Sequence, residues 1–366
     1  MQTRRTALAA LGSLALAPAL ARGQTAPSPE ISLSPGVRVA TLPFQLVDNR
    51  IFVTGRVNGA GPYQIVFDTG GANLLTPETA RAAGLSLSSS FSLGGAGEGQ
   101  QQAWTTSVGA VEAGDVRMRD ASFTVISFAD MARAIGFTID GMFGFEVLQR
   151  FVVHIDYERG EITFAEPDAA PTEFFQGAEL PITFANTYAL IKARAAAFDV
   201  MALIDTGDRS SLTFLAPFAA DNGLHARPHI NAVSGWGVGG AVSSEMSRTR
   251  ELSVGPFKVN DVTTRVPLVR SGVFATRVSD ASIGTGVWKR FHITFDYGRE
   301  RIFLRPNANF SAPDPMDRSG MWMSQPAQGD WINVMQVGAD TAAEAAGCAP
   351  ATASSRLMER ASRQEI

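Results

Sequence analysis

Cysteine is almost absent: Cys348 is the only one in 366 residues, which excludes an internal disulfide, a cysteine-built zinc site and an iron-sulfur cluster supplied by this chain alone. Histidine is nearly as scarce, at four residues. His225 and His229 lie one helical turn apart in sequence, but Pro228 interrupts them and the glutamate of an H-E-x-x-H pattern is missing, so the spacing makes a poor zinc site. No metal and no other cofactor is expected. With a net charge of −4 the chain offers no basic field for a phosphate backbone, and nucleic acid is not an expected partner. Long apolar runs are missing too. The run from Ala7 to Ala17 is too short to span a bilayer. Preceded by Arg4-Arg5 and followed by Ala19-Leu20-Ala21, it reads as an export signal over residues 1–21. Thr3-Arg4-Arg5-Thr6-Ala7-Leu8 fits twin-arginine export, and general secretion fits as well. The expectation is a periplasmic or secreted protein with no integral membrane segment after signal removal.

What is plentiful points to β structure. Hydrophobic residues make up 45% of the chain and charged ones 18%, enough to fill the cores of two domains. The 35 glycines and 19 prolines are spread along the chain rather than gathered in one tract, the pattern of many turns between short strands. An all-β fold with short helices is expected.

The chain also repeats itself. Val66-Phe67-Asp68-Thr69-Gly70 recurs as Leu203-Ile204-Asp205-Thr206-Gly207, 137 residues on. Its context recurs with it: Leu74-Leu75-Thr76-Pro77 and a stretch ending Ala83-Gly84-Leu85 match Leu212-Thr213-Phe214 and a stretch ending Asn222-Gly223-Leu224. Thr76 before Pro77 reads as an N-cap followed by proline at the first helical position. Farther on, Met142-Phe143-Gly144 precedes Phe151–Tyr157, and Ser282-Ile283-Gly284 precedes Phe291–Tyr297, with the same interval from glycine to phenylalanine. Each of these β-branched and aromatic runs is followed by a turn and a second strand, so each half should end in a hairpin. Between the landmarks lie glycine-rich stretches, with Gly94, Gly95 and Gly97 in the first half and Gly235, Trp236 and Gly237 in the second. Gly235 to Gly240 satisfies G-x-G-x-x-G, but no amphipathic helix follows, and a hairpin tip is the better reading. The join falls near Pro167 to Gly177, giving halves at 39–170 and 171–308 after a linker at 22–38.

Two Asp turns brought together would hold a carboxyl pair. Two carboxyls in one site cannot both ionise, so the pair keeps one proton and offers a base and an acid at once. Such a pair can activate water, protonate a carbonyl oxygen and then protonate a leaving amine without a metal. Val66-Phe67 and Leu203-Ile204 would bury the strands entering the turns, and Gly70 and Gly207 would allow close approach. Thr69 and Thr206 offer hydroxyls for hydrogen bonds between the turns.

The doubled Asp-Thr-Gly motif, with Phe143-Gly144 and Ile283-Gly284 downstream, resembles the bacterial pepsin and retropepsin-like aspartic proteases over roughly residues 40 to 308. The resemblance implies two pseudo-symmetric β-barrel lobes, Asp68 and Asp205 as the catalytic pair, and glycine-rich hairpins closing over an extended peptide or protein substrate. Two motifs in one chain imply a monomer. The family usually has Ser or Thr after Asp-Thr-Gly, where this chain has Gly71 and Asp208. Asp208 would either raise the pKa values of the pair or point into solvent. Ser282 stands where the first half has Met142. A competing reading is a non-catalytic module that grips extended peptides as an added strand. From about Asp317 the pattern changes. Segments 319–323, 334–337 and 340–347 resemble the start of a bacterial PDZ domain, and the sequence beyond Pro350 does not continue it. A truncated, poorly ordered PDZ-like segment is expected over 309–366.

Overall fold

The computed structural model describes residues 29–317, 319–324 and 332–350. The export-signal reading, and the part of the PDZ-like reading beyond residue 350, lie outside the described residues. The described chain is mostly β, in two lobes joined by a continuous sheet.

Each half builds the same knot of strands around its Asp turn. In the first, Ala60–Phe67 runs parallel to Gly141–Phe143, which is antiparallel to Leu74–Leu75. In the second, Phe198–Asp205 runs parallel to Ala281–Gly284, which is antiparallel to Leu212–Phe214. The entering strands are apolar because they are covered: Val66, Phe67 and Ile204 have no exposed surface. Phe67 meets Phe143 and Phe164 edge to face at 5.9 Å, a geometry that adds about 0.5–1.5 kcal/mol beyond burial alone. The short helix Pro77–Ala82 starts as its sequence predicts, with the Thr79 amide donating to Thr76 Oγ1 at 3.1 Å. Its counterpart Ala216–Asp221 has Leu215 at the N-cap and no side-chain cap.

Both predicted terminal hairpins form, as Val152–Asp156 with Glu161–Ala165 and as Phe291–Asp296 with Arg301–Pro306. They pair with each other, Val153 opposite Phe295 and Ile155 opposite Ile293. Val39–Pro43 and Ala178–Ala185 flank them. Six strands, three from each half, therefore floor the molecule, and a single hydrophobic cluster runs from Leu33 to Leu304 through both lobes.

Two details differ from the sequence expectations. The linker at 22–38 contains a strand, Glu30–Leu33, paired with Val116–Arg119 and anchored by buried Leu33. The tail is also packed where it is described. Met321–Ser324 and Asn333–Val337 form a hairpin followed by the short helix Ala342–Ala345. The Trp322 indole donates to the Ala134 carbonyl at 3.0 Å and lies 5.0 Å from the Arg209 guanidinium. No described helix is long and apolar enough to cross a membrane.

Candidate active site

The structure brings Asp68 and Asp205 together in the lining of one cavity, close enough for each carboxyl to act on the ionisation of the other. The turns that carry them are tied reciprocally. The Thr69 amide donates to Thr206 Oγ1 and the Thr206 amide to Thr69 Oγ1, each at 3.0 Å. Each hydroxyl then donates across the divide, Thr69 Oγ1 to the Ile204 carbonyl at 2.9 Å and Thr206 Oγ1 to the Phe67 carbonyl at 3.3 Å. These four bonds use every hydrogen-bonding atom the two hydroxyls need while fully buried, so the separation of the turns is fixed from within.

The glycines are required by space. A Cβ on Gly207 would stand 2.0 Å from an Asp68 carboxyl oxygen, and one on Gly70 would lie 3.3 Å from the Asp205 carboxyl carbon. A Cβ on Gly144 would stand 1.8 Å from the Asp68 carbonyl oxygen. Gly71 explains itself in the same way, since a side chain there would meet the Met142 sulfur at 2.6 Å and the Asp68 carboxyl carbon at 2.9 Å. The first lobe has no room for the hydroxyl residue usual at that position.

Burial pushes both carboxyls above their ordinary range. For Asp68 the Gly70 amide, donating to Oδ1 at 2.8 Å, and the nearby Arg50 charge oppose the rise. Asp205 is raised further, by burial first and then by the charges of Asp68 and Asp208, against the Gly207 and Asp208 amides donating to its Oδ1 at 3.0 and 2.9 Å. Asp208 does the first of the two things expected of it, since its charge raises both carboxyls of the pair, and not the second. It is buried and holds a two-pronged ion pair with Arg265, both contacts 3.0 Å. Burial would raise its pKa, but Arg265 and the Ser210 amide outweigh that and hold the carboxyl below its usual range.

Arg265 was not singled out in the sequence, and neither were Arg50 and Asp48. Arg50 donates to the Gly207 carbonyl at 3.0 Å and pairs with Asp48, which also takes Arg209 at 2.6 Å. The available signal was a lone arginine inside an apolar strand, Thr264-Arg265-Val266, where a buried charge demands a partner.

The glycine-rich hairpins meet tip to tip over the pair. The Gly97 amide donates to the Val238 carbonyl and the Gly99 amide to the Gly239 carbonyl, both at 2.9 Å. Gly94 and Gly237 end their strands, and the Gly95 carbonyl accepts from the Val273 amide at 2.9 Å. Gly235 marks a register irregularity in its hairpin, and Trp236 lines the cavity beneath. The turn itself belongs to Gly239 and Gly240, at φ +91° and +104°, at the end of the Gly235 to Gly240 stretch that the sequence marks as a hairpin tip. Below the tips lies a cavity of about 200 Å³, walled by Leu74, Phe128 and Met142 from one lobe and by Trp236, Val242 and Phe274 from the other.

Residues 53–147, which include the first Asp turn and Phe143-Gly144, match the family model described as aspartyl protease. No curated protein matches the chain. Among solved structures, the aspartic proteinase from Irpex lacteus is similar at 15% identity with a TM-score of 0.49, over 76% of this chain and 100% of that one.

Proposed function

We propose that this chain is an aspartic-type endopeptidase, exported to the periplasm or beyond, in which Asp68 and Asp205 divide one proton and hydrolyse peptide bonds. The observation that carries the reading is the carboxyl pair itself, one member from each half, held in a covered cavity by reciprocal threonine bonds. The aspartyl-protease match over the first Asp turn supports it.

The electrostatics divide the labour. Asp205 carries the larger upward push and keeps the proton, while Arg50 favours the ionised form of Asp68. Asp68 takes a proton from water as the water oxygen attacks the peptide carbonyl carbon, and Asp205 gives its proton to the carbonyl oxygen. In the collapse of the resulting diol, Asp68 passes its proton to the departing amine nitrogen and Asp205 recovers one from a diol hydroxyl. Water is consumed, one C–N bond breaks, and the pair ends as it began. The apolar walls favour apolar side chains on either side of the cleaved bond.

The test is digestion of a mixed peptide library from pH 3 to 8, with a statine-type inhibitor and with Asp68→Asn and Asp205→Asn controls. Cleavage should occur, should be blocked by the inhibitor and should fall by about 10²–10⁴-fold in either variant. A protein that binds the peptides equally well with and without these substitutions and never cleaves them would be the non-catalytic module instead.

A further inference from the structure

Away from the carboxyl pair, the six-stranded floor carries a second constellation. Alternation along its two central strands sends Val153, Ile155, Ile293 and Phe295 into the core and their neighbours to the opposite face. The register sets Asp156 directly opposite His292. Glu158 follows in the turn, where its amide and that of Arg159 donate to Asp156 Oδ1 at 3.0 and 3.1 Å and so fix that carboxylate. The groove here shares no lining residue with the cavity over Asp68 and Asp205.

His292 is the unusual member. Its side chain is only 10% exposed, and its Nδ1 is buried without a hydrogen-bond partner. Leaving such an atom unsatisfied forfeits its hydration with nothing in return, so a buried polar atom of this kind calls for an explanation. Asp156 Oδ1 lies 3.6 Å from Nδ1. That is long for a hydrogen bond, yet it is close to the separation of two ligand atoms that each bind one ion at about 2.0–2.2 Å in tetrahedral geometry. Glu158 Oε2 lies 3.0 Å from Nε2, while its Oε1 accepts from the Ala308 amide at 3.1 Å. One ligand atom from each of the three residues already lies within 4.8 Å of the others. His154 stacks parallel to the His292 ring, 4° between planes at 6.2 Å, which holds that ring in place.

We propose that His292, Asp156 and Glu158 bind one divalent transition-metal ion of the zinc class, with water completing the coordination. One imidazole and two carboxylates are a ligand set suited to such an ion. The site clamps the two halves together at the centre of their shared sheet, because Asp156 and Glu158 come from one half and His292 from the other. It takes no part in peptide hydrolysis and does not depend on that reading. Sequence spacing hides it, since the strands are far apart along the chain. Two cations stand near: Arg159 lies 3.9 Å from Asp156 but is mostly in solvent, and Arg305 lines the groove.

The probe is zinc chloride titrated into the full chain after chelator dialysis, read by calorimetry and by native mass spectrometry. One equivalent should bind. His292→Ala and Asp156→Asn should each weaken binding by at least about tenfold. Glu158→Gln, at an exposed position where the amide oxygen can still accept from the Ala308 amide, should weaken it as well and keeps the test valid if the other two variants misfold. His225→Ala, at the separate His225–Glu245 contact, should leave binding unchanged. No stoichiometric binding, binding indifferent to Glu158 and His292, or binding lost in His225→Ala would each overturn the proposal, the first by leaving His292 as an imidazole held between two carboxylates.

Discussion

Asp208 and Arg265 show how far a single residue's role can be read from its neighbours in sequence. The turn made Asp208 conspicuous, but its partner lies 57 residues away in a strand, so the ion pair that decides its charge was invisible. Asp208→Asn leaves Arg265 buried and unpaired, and should cost about 3–5 kcal/mol of stability at neutral pH by urea unfolding. The same change removes a negative charge beside Asp205, so the basic limb of the kcat/KM profile should move to lower pH. The sign of the pH effect on stability differs between these residues. Asp208 has a depressed folded pKa, so its contribution is present above the ordinary carboxylate range and is lost as pH falls through the depressed value. Asp205 has a raised folded pKa, so its favourable share is present in acid and is lost as pH rises through the raised value. Asp205→Asn should therefore melt higher than the parent near pH 7 and about equally in acid, in thermal scans at the two pH values.

At the scale of elements, the Asp turns were the most legible part, because each is local: an apolar strand, a tight glycine turn and a hydroxyl in fixed order. The hairpins over them were legible as tips, but their meeting was not, since Gly97 and Gly239 are joined only by the closure of the two halves. Long strands hid another feature. In Val116–Val125 the inward positions pass from Val116 and Met118 to Ala121, Phe123 and Val125, with Asp120 at φ +50° between them, and Asp261 repeats this in Phe257–Pro267. A strict two-residue period does not anticipate such a kink. The tip contact itself can be tested with Gly97→Val, whose Cβ would stand 2.4 Å from Gly239. Loss of two tip hydrogen bonds, each worth about 0.5–1.5 kcal/mol, should reduce kcat/KM by about tenfold while the melting temperature stays near that of the parent.

Over the whole molecule, the duplication predicted two lobes but not that they would share a sheet and a core. Nothing in either half announces that Val153 will pair with Phe295, because exposed edges of equal pattern can pair in several ways. With one hydrophobic cluster through both lobes, urea unfolding should give one transition by fluorescence and circular dichroism alike, where independent lobes would give two. The tail hairpin touches both lobes, and Trp322→Ala should lower stability by about 1–3 kcal/mol in the same experiment. The proposed function requires Asp68 and Asp205 to share one proton. Carbon-13 NMR of labelled aspartate carboxyls, titrated from pH 3 to 8 in the parent and in the two Asn variants, reads that state directly. One proton should persist on the pair above the ordinary carboxylate range; losing Asp68 should lower the pKa of Asp205, and losing Asp205 should remove an interaction that holds the pKa of Asp68 down. Two carboxyls that ionise independently, each indifferent to loss of its neighbour, would contradict it.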